Sequence, residues 1–126
     1  MGLSQKRKGQ RGEREAAALL RQLWPSLERG LTQSRGASQA DVEHGPCWVE
    51  VKVGKRPLIR RALAQALRDT DGRPALVITK DDSPGGGKPA EWRVTMTAAD
   101  FIRLVEAERY KAVTVAAAWI GDGGDR

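Results

Sequence analysis

The sequence predicts a mixed α/β layer fold, and three observations lead to that expectation. Segments with helical and strand periodicity follow one another in the order α-β-β-β-α-β-β-α. The 126 residues suit one domain with one modest core. The chain is 40% hydrophobic and 30% charged, which is ordinary for a folded domain. We therefore expect a flexible basic N-terminus over residues 1–9, a single domain over 10–120 and a flexible tail over 121–126.

The first half of the chain predicts one helix and three strands. From Gln10 to Trp24 apolar residues recur at helical spacing, and Pro25 ends the helix. Residues 27–33 are a candidate strand, and residues 34–40 form a polar loop. Residues 41–43 and 47–53 alternate as two strands around a short His-Gly-Pro turn. This part therefore contains a β-hairpin.

The second half predicts two helices and two strands. Pro57 opens a helix that ends before Gly72. Residues 74–80 and 91–96 are strands, separated by a Gly/Pro-rich turn. Thr97 with Asp100 resembles a capping box for a helix from Ala98 to about residue 111. Residues 112–120 leave two alternatives open, an extension of that helix or a further strand.

Composition narrows the classes of protein to consider. No apolar run approaches the roughly 20 residues of a membrane helix, so we expect no membrane partner and a cytoplasmic protein. The only cysteine, Cys47, excludes an internal disulfide. The only histidine, His44, argues against a zinc site with several His or Cys ligands.

The positive charge is concentrated in one part of the chain. The net charge is +6, and residues 1–73 hold 15 Lys/Arg against 8 Asp/Glu, whereas the remainder holds 7 against 8. A polyanion such as nucleic acid is the natural partner of such a basic region. A solubilising surface charge is the alternative.

The predicted hairpin carries charged residues on one face. Side chains alternate along a strand, so Trp48, Glu50 and Lys52 share one face, with Glu50 and Lys52 roughly 6–7 Å apart at the backbone. Asp41 lies on the neighbouring strand. Two carboxylates and an amine that converge suit metal-assisted phosphodiester hydrolysis. The alternative is a solvated strand face with a Glu–Lys ion pair.

A further acid belongs to the first helix. On a helical wheel Ala16, Leu20, Leu23 and Trp24 form an apolar stripe, and Glu13 falls about 35° from its centre. A carboxylate in such a stripe is costly unless it is paired or bound to a cation. The alternative is a Glu13 that faces solvent at the start of the helix, where acids are favourable.

These residues resemble a known family. The sequence Asp41…Glu50-Val51-Lys52 resembles the PD-(D/E)xK nuclease motif, with Ala40 where many members have proline. The run from Lys8-Gly9 to Glu13-Arg14, followed by an apolar helix, resembles the start of archaeal-type Holliday-junction resolvases. The loop over residues 34–42 resembles their Ser/Gly-rich loop, and the whole run is similar to small phage-encoded resolvase-like nucleases. The resemblance covers about residues 6–105.

The resemblance implies a fold, a metal and a set of catalytic residues. The fold would be restriction-endonuclease-like, with a central mixed β-sheet flanked by helices. Glu13, Asp41, Glu50 and the Val51 carbonyl would hold Mg²⁺ or Mn²⁺, with no other small-molecule cofactor. Lys52 would be the catalytic lysine beside the three acids. The family further implies a homodimer that acts on branched DNA in recombination, in the host cytoplasm if the chain is phage-encoded.

Polar and basic residues on three segments are candidates for nucleic-acid binding. They lie near the start of the first helix, in the loop before Asp41, and after the catalytic strand. Gln65 resembles a glutamine found near the site in related recombination nucleases, although a surface role is equally open. The predicted nucleic-acid-binding residues are Lys8, Arg11, Arg14, Ser34, Arg35, Ser38, Lys55, Arg56, Arg61 and Gln65.

Two functions from different classes follow. The first is a metal-dependent endonuclease that hydrolyses DNA at four-way (Holliday) junctions or other branched structures. The second is a non-catalytic basic nucleic-acid-binding or scaffold protein. The sequence favours the first, because competent residues fill all four expected positions, Glu13, Asp41, Glu50 and Lys52.

Overall fold

The computed structural model describes residues 2–29, 40–43 and 45–124, with side chains placed for all of these except 28–29 and 114–124. Their elements follow the predicted α-β-β-β-α-β-β-α order. The bounds are α1 (Leu3–Leu20), β1 (Glu28–Arg29), β2 (Val42–Glu43), β3 (Trp48–Gly54), α2 (Ile59–Asp69), β4 (Ala75–Asp81), β5 (Trp92–Thr95) and α3 (Ala98–Gly124).

The strands form one mixed sheet in the order β1-β2-β3-β4-β5. The pairing is antiparallel between β1 and β2, between β2 and β3, and between β4 and β5. Among the described strands only β3 and β4 run parallel, in a register that places Glu50 beside Val77 and Lys52 beside Thr79. Parallel neighbours need a crossover, and α2 supplies it. The α/β class and the mixed sheet are confirmed, while the restriction-endonuclease-like topology stays a prediction.

The two faces of β3 pack against different helices. On one face, the α-carbon of Gly12 in α1 approaches the sheet so closely that an added Cβ would lie 2.6 Å from Val53 Cγ2. On the other face, Trp48 belongs to a buried cluster with Ala62 and Ala66 of α2. Because side chains alternate along a strand, Glu50 and Lys52 lie on the α2 side.

The first helix differs from the prediction at both ends. It begins at Leu3, so residues 3–9 are helical where the sequence suggested a flexible segment. Lysine, arginine and glutamine are good helix formers, which accounts for the extension. The helix ends at Leu20, before Pro25, and the chain has already turned away at Leu23, which is 68% exposed. The predicted apolar stripe therefore stops at Leu20.

The last helix settles the alternative left open over residues 112–120, because α3 runs without interruption to Gly124. The Thr97 hydroxyl accepts a hydrogen bond of 3.0 Å from the Asp100 backbone N–H, as the capping box predicts. Residues 121–124 of the predicted tail are helical too. One compact unit ends at Met96 and a second begins at Thr97. A single domain over 10–120 stays a prediction.

No helix in residues 2–29, 40–43 and 45–124 has the length and apolar character to cross a membrane.

Arg73 fastens the hairpin to the segment between α2 and β4. Its guanidinium donates to the carbonyl oxygens of Gly45 at 3.1 Å and Cys47 at 3.3 Å. It also donates to Asp71 at 2.9 Å and lies 5.7 Å from the ring centre of Trp48. These contacts satisfy the cation and hold the start of β3 in place.

Candidate active site

Asp41 is attached to β3 at two points. Its backbone N–H donates to the Val49 carbonyl at 2.9 Å, and its Oδ2 accepts the Val51 N–H at 2.8 Å. Val42 pairs with Val49, and the carboxyl groups of Asp41 and Glu50, which flank this pair, share a hydrogen bond. Residues opposite each other in an antiparallel pair project to the same face. The hairpin therefore brings the two carboxylates together, as the alternation predicts.

Glu50 is a buried acid with a strongly altered affinity for protons. Its side chain is 5% exposed, and its pKa is raised from 4.5 to about 7. Burial is the largest cause, and the charge of Asp41 and a hydrogen bond between the two carboxyl groups act in the same direction. Lys52 lowers the pKa of Glu50 by a smaller amount. The two carboxylates therefore favour a bound proton or cation.

The Trp48 indole also favours the charged form of Glu50, although weakly. Its Nε1 is buried and has no hydrogen-bond partner within 3.5 Å in the described part of the chain. Burial and Asp41 outweigh this effect of the indole on the pKa of Glu50.

Lys52 lies where the polar face of β3 opens to solvent. It is half-buried, and it lines a pocket of about 310 Å³ between the end of β3 and the start of α2. We call this the basic pocket. Four residues that the sequence predicted to bind nucleic acid line it as well, namely Lys55, Arg56, Arg61 and Gln65. The structure thus brings Lys52 and one of the three predicted nucleic-acid-binding segments to a common site.

Glu13 is buried, as predicted, and belongs to α1, whereas Glu50 lies on the face of β3 that packs against α2. It is 5% exposed and belongs to the buried stripe of α1, next to the Gly12 that packs on Val53. Among residues 2–29, 40–43 and 45–124, no group of three or more His, Cys, Asp or Glu side chains lies close enough to share a metal ion. The structure therefore joins Asp41 to Glu50, and the part of Glu13 in the site stays a prediction.

The Val51 backbone faces the edge where Asp41 sits. Its N–H donates to the Asp41 carboxylate. Because the N–H and C=O of one strand residue point to the same side, the Val51 carbonyl faces that edge too. Its predicted part in holding a metal is compatible with this direction.

The predicted basic residues of α1 line a second hollow. Lys8, Arg11 and Arg14 share it with Arg7, and its volume is about 670 Å³. Lys8 is engaged already, because its ammonium lies 2.5 Å from a carboxylate oxygen of Asp82. The predicted loop residues Ser34, Arg35 and Ser38 lie outside the described residues.

Two features of the site region were not predicted from the sequence. Arg73 holds the hairpin through contacts with residues more than 25 positions away, which no local sequence pattern predicts. Arg56 has a φ of 51°, in the left-handed region that residues with a Cβ rarely adopt. The Pro57 that follows it is the only local signal, since the residue before a proline is restricted in conformation.

Comparisons with known proteins leave the family open. No protein-family model matches the sequence. No curated protein matches it, and no solved structure matches it. The resemblance to PD-(D/E)xK nucleases therefore stays a prediction from Asp41, Glu50 and Lys52.

Proposed function

We propose that the chain is a metal-dependent endonuclease that hydrolyses DNA phosphodiester bonds. One observation carries the proposal. Asp41 and Glu50 meet across the hairpin, Lys52 follows on the same face, and this face opens directly into a pocket lined by cationic side chains. Acids that can hold a hard cation thus stand beside groups that attract phosphate.

The residues fit a divalent cation. Two carboxylates in mutual contact, one of them 5% exposed, are costly unless a proton or a cation neutralises them. Mg²⁺ prefers oxygen ligands and keeps several of its waters, so a site of few protein ligands suffices. Asp41, Glu50 and the Val51 carbonyl would hold Mg²⁺ or Mn²⁺. When bound, the metal supplies polarisation of a phosphoryl oxygen and a lowered pKa of a bound water.

The surrounding cations would handle the substrate. The Lys52 ammonium lies next to the acids, where it stabilises negative charge that develops on a phosphoryl group. Lys55, Arg56 and Arg61 would hold neighbouring phosphates, so affinity should fall as salt rises. As the resemblance to PD-(D/E)xK nucleases implies, hydrolysis would leave a 5′-phosphate and a 3′-hydroxyl.

The proposed substrate is branched DNA, in particular a four-way junction, and the proposed assembly is a homodimer. Two symmetric strands of a junction call for two equivalent sites, which a two-fold dimer provides. Large apolar side chains that α3 leaves exposed support a dimer surface, namely Phe101, Ile102, Val105, Tyr110 and Val113. Light scattering at micromolar concentration tests the dimer, and a monomer would remove the junction-resolving part of the proposal.

A non-catalytic nucleic-acid-binding or scaffold protein is the second candidate. The observation that favours it is the cationic lining of the basic pocket, which can bind phosphates without cleaving them. The experiment that separates the two uses labelled junction, flap and linear duplex DNA with Mg²⁺ or with EDTA. Cleavage with Mg²⁺ alone, strongest on the junction, supports the nuclease. Salt-sensitive binding without cleavage supports the scaffold.

A further inference from the structure

Three cations of the basic pocket carry charge that no described carboxylate compensates. Lys55, Arg56 and Arg61 are exposed, and none of them has an ion pair or hydrogen bond through its side chain to another described residue. By contrast, Arg73, Lys80 and Lys8 are each paired with a carboxylate. The three free cations therefore attract an anion from solution.

The pocket is shaped for more than a phosphate. Its volume of about 310 Å³ lies at the lower end of the range of about 300–1,000 Å³ typical of small-ligand sites. Its wall also includes Leu58, which is 65% exposed, and the amide of Gln65. An apolar side chain can contact the face of a base, and a glutamine amide can pair with a base edge. Cationic, apolar and amide groups together match one nucleotide.

We propose that the basic pocket binds one unpaired nucleotide of the substrate strand, with its phosphate at Arg56 and Arg61 and its base at Leu58 and Gln65. A base inside a duplex is stacked and paired, so only an unpaired or extruded nucleotide can enter a pocket of this size. The inference rests on the proposed function, for which it names the feature of branched DNA that the chain recognises. The left-handed φ of Arg56 is consistent with this, since strained backbone collects at ligand sites.

The test is nucleotide binding without metal, so it does not depend on cleavage. The full-length ¹⁵N-labelled chain is titrated in EDTA with deoxyadenosine 5′-monophosphate, with deoxyadenosine and with inorganic phosphate, and Kd is taken from NMR shifts. We expect the monophosphate to bind at least about fivefold more tightly than phosphate. Deoxyadenosine should bind most weakly, because the phosphate provides the electrostatic part.

Three variants separate the pocket from general surface charge. Arg61→Ala removes a lining cation and should weaken monophosphate binding at least about fivefold. Arg60→Ala removes an equal charge one residue away from the pocket lining and should change it less than about twofold. Gly54→Val alters no charge, and its Cβ meets no atom within 4 Å, so the fold can accept it. Because Gly54 lines the pocket, the new side chain should weaken binding as Arg61→Ala does.

Several results would overturn the proposed nucleotide pocket. Equal effects of Arg60→Ala and Arg61→Ala, undiminished binding in Gly54→Val, or a monophosphate that binds no better than phosphate overturns the inference. So does the absence of any shift. A chain that cleaves DNA but fails this test loses only the nucleotide pocket. A chain that passes it but never cleaves loses the proposed nuclease and keeps the pocket.

Discussion

The two faces of β3 show how one strand serves two purposes. On the α1 face Val49 and Val51 are buried, and Gly12 of the helix comes close enough to contact Val53 directly. On the α2 face the strand passes from the buried Trp48 through the buried Glu50 to the half-buried Lys52. The first face only packs. The α2 face changes from core to candidate site between Trp48 and Lys52, and Glu50 lies between the two.

The cations near the two ends of β3 also differ from each other. Arg73 is fully used by the fold, with a carboxylate at 2.9 Å, two backbone carbonyls and an aromatic ring around it. The exposed cations of the basic pocket, Lys55, Arg56 and Arg61, have no such partners among the described residues. Positive charge therefore stabilises the hairpin at one end of β3 and remains available to a ligand at the other.

The largest expected effect is on cleavage. Asp41→Ala or Glu50→Ala should reduce cleavage of labelled junction DNA below detection, because each removes a proposed metal ligand. DNA binding should persist or tighten, since a negative charge near the phosphates is lost. Glu15→Ala is the control, because it removes a carboxylate of α1 that pairs with Lys80 outside the site. Normal rates in both site variants would remove the assignment.

The next largest effect is expected for Lys52, which lies on the same face of β3 as Glu50. Lys52→Ala should lower the single-turnover cleavage rate at least about a hundredfold, on the scale of losing one preorganised electrostatic group. Lys55→Ala, in the adjoining pocket, should weaken binding and leave the rate at saturating protein nearly unchanged. If the two variants behave alike, Lys52 contributes only to the charge of the surface.

A substitution in α1 where it packs against β3 should change the stability of the fold. Gly12→Ala should lower the free energy of unfolding by about 1–3 kcal/mol, because the added Cβ would lie 2.6 Å from Val53. A Cβ added at Gly9 would meet no atom within 4 Å, so Gly9→Ala should raise the free energy of unfolding by up to about 1 kcal/mol through helix propensity. Urea denaturation compares the two. Shifts in the same direction would mean that α1 does not approach β3 at Gly12.

The smallest effect is a pH dependence in the absence of metal. The pKa of Glu50 is about 7 in the folded chain against 4.5 when unfolded, so its proton stabilises the fold below pH 4.5. That contribution is lost as pH rises through 7. Glu50→Gln should therefore flatten the decline in unfolding free energy between about pH 4.5 and 7, measured by urea denaturation in EDTA. An unchanged slope would show that Glu50 does not titrate there.

The order of elements was predictable because each segment carries its own periodicity and stop signals. The meeting of Asp41 and Glu50 was predictable too, since a short turn and alternating side chains fix which residues face each other. The start of α1 was missed, because a run rich in Lys and Arg reads equally as a flexible tail or an exposed helix.

The position of Glu13 relative to the hairpin could not be read from the sequence. A helical wheel gives the direction of a side chain toward the core, and Glu13 is indeed buried. It does not say which face of a sheet the helix will cover. That depends on packing of Gly12 against Val53, between elements distant along the chain.

Mn²⁺ binding to the full chain shows whether the Asp41–Glu50 pair holds a cation. Free Mn²⁺ is followed by electron paramagnetic resonance at neutral pH, for the parent chain and for single Asp→Asn or Glu→Gln variants. We expect one site per chain, weakened at least about tenfold in Asp41→Asn and Glu50→Gln and unchanged in Glu15→Gln. Glu13→Gln separates a two-acid site, which it would spare, from the three-acid set implied by the family resemblance. Parent-like Mn²⁺ binding in both Asp41→Asn and Glu50→Gln would show that these two acids do not hold the cation.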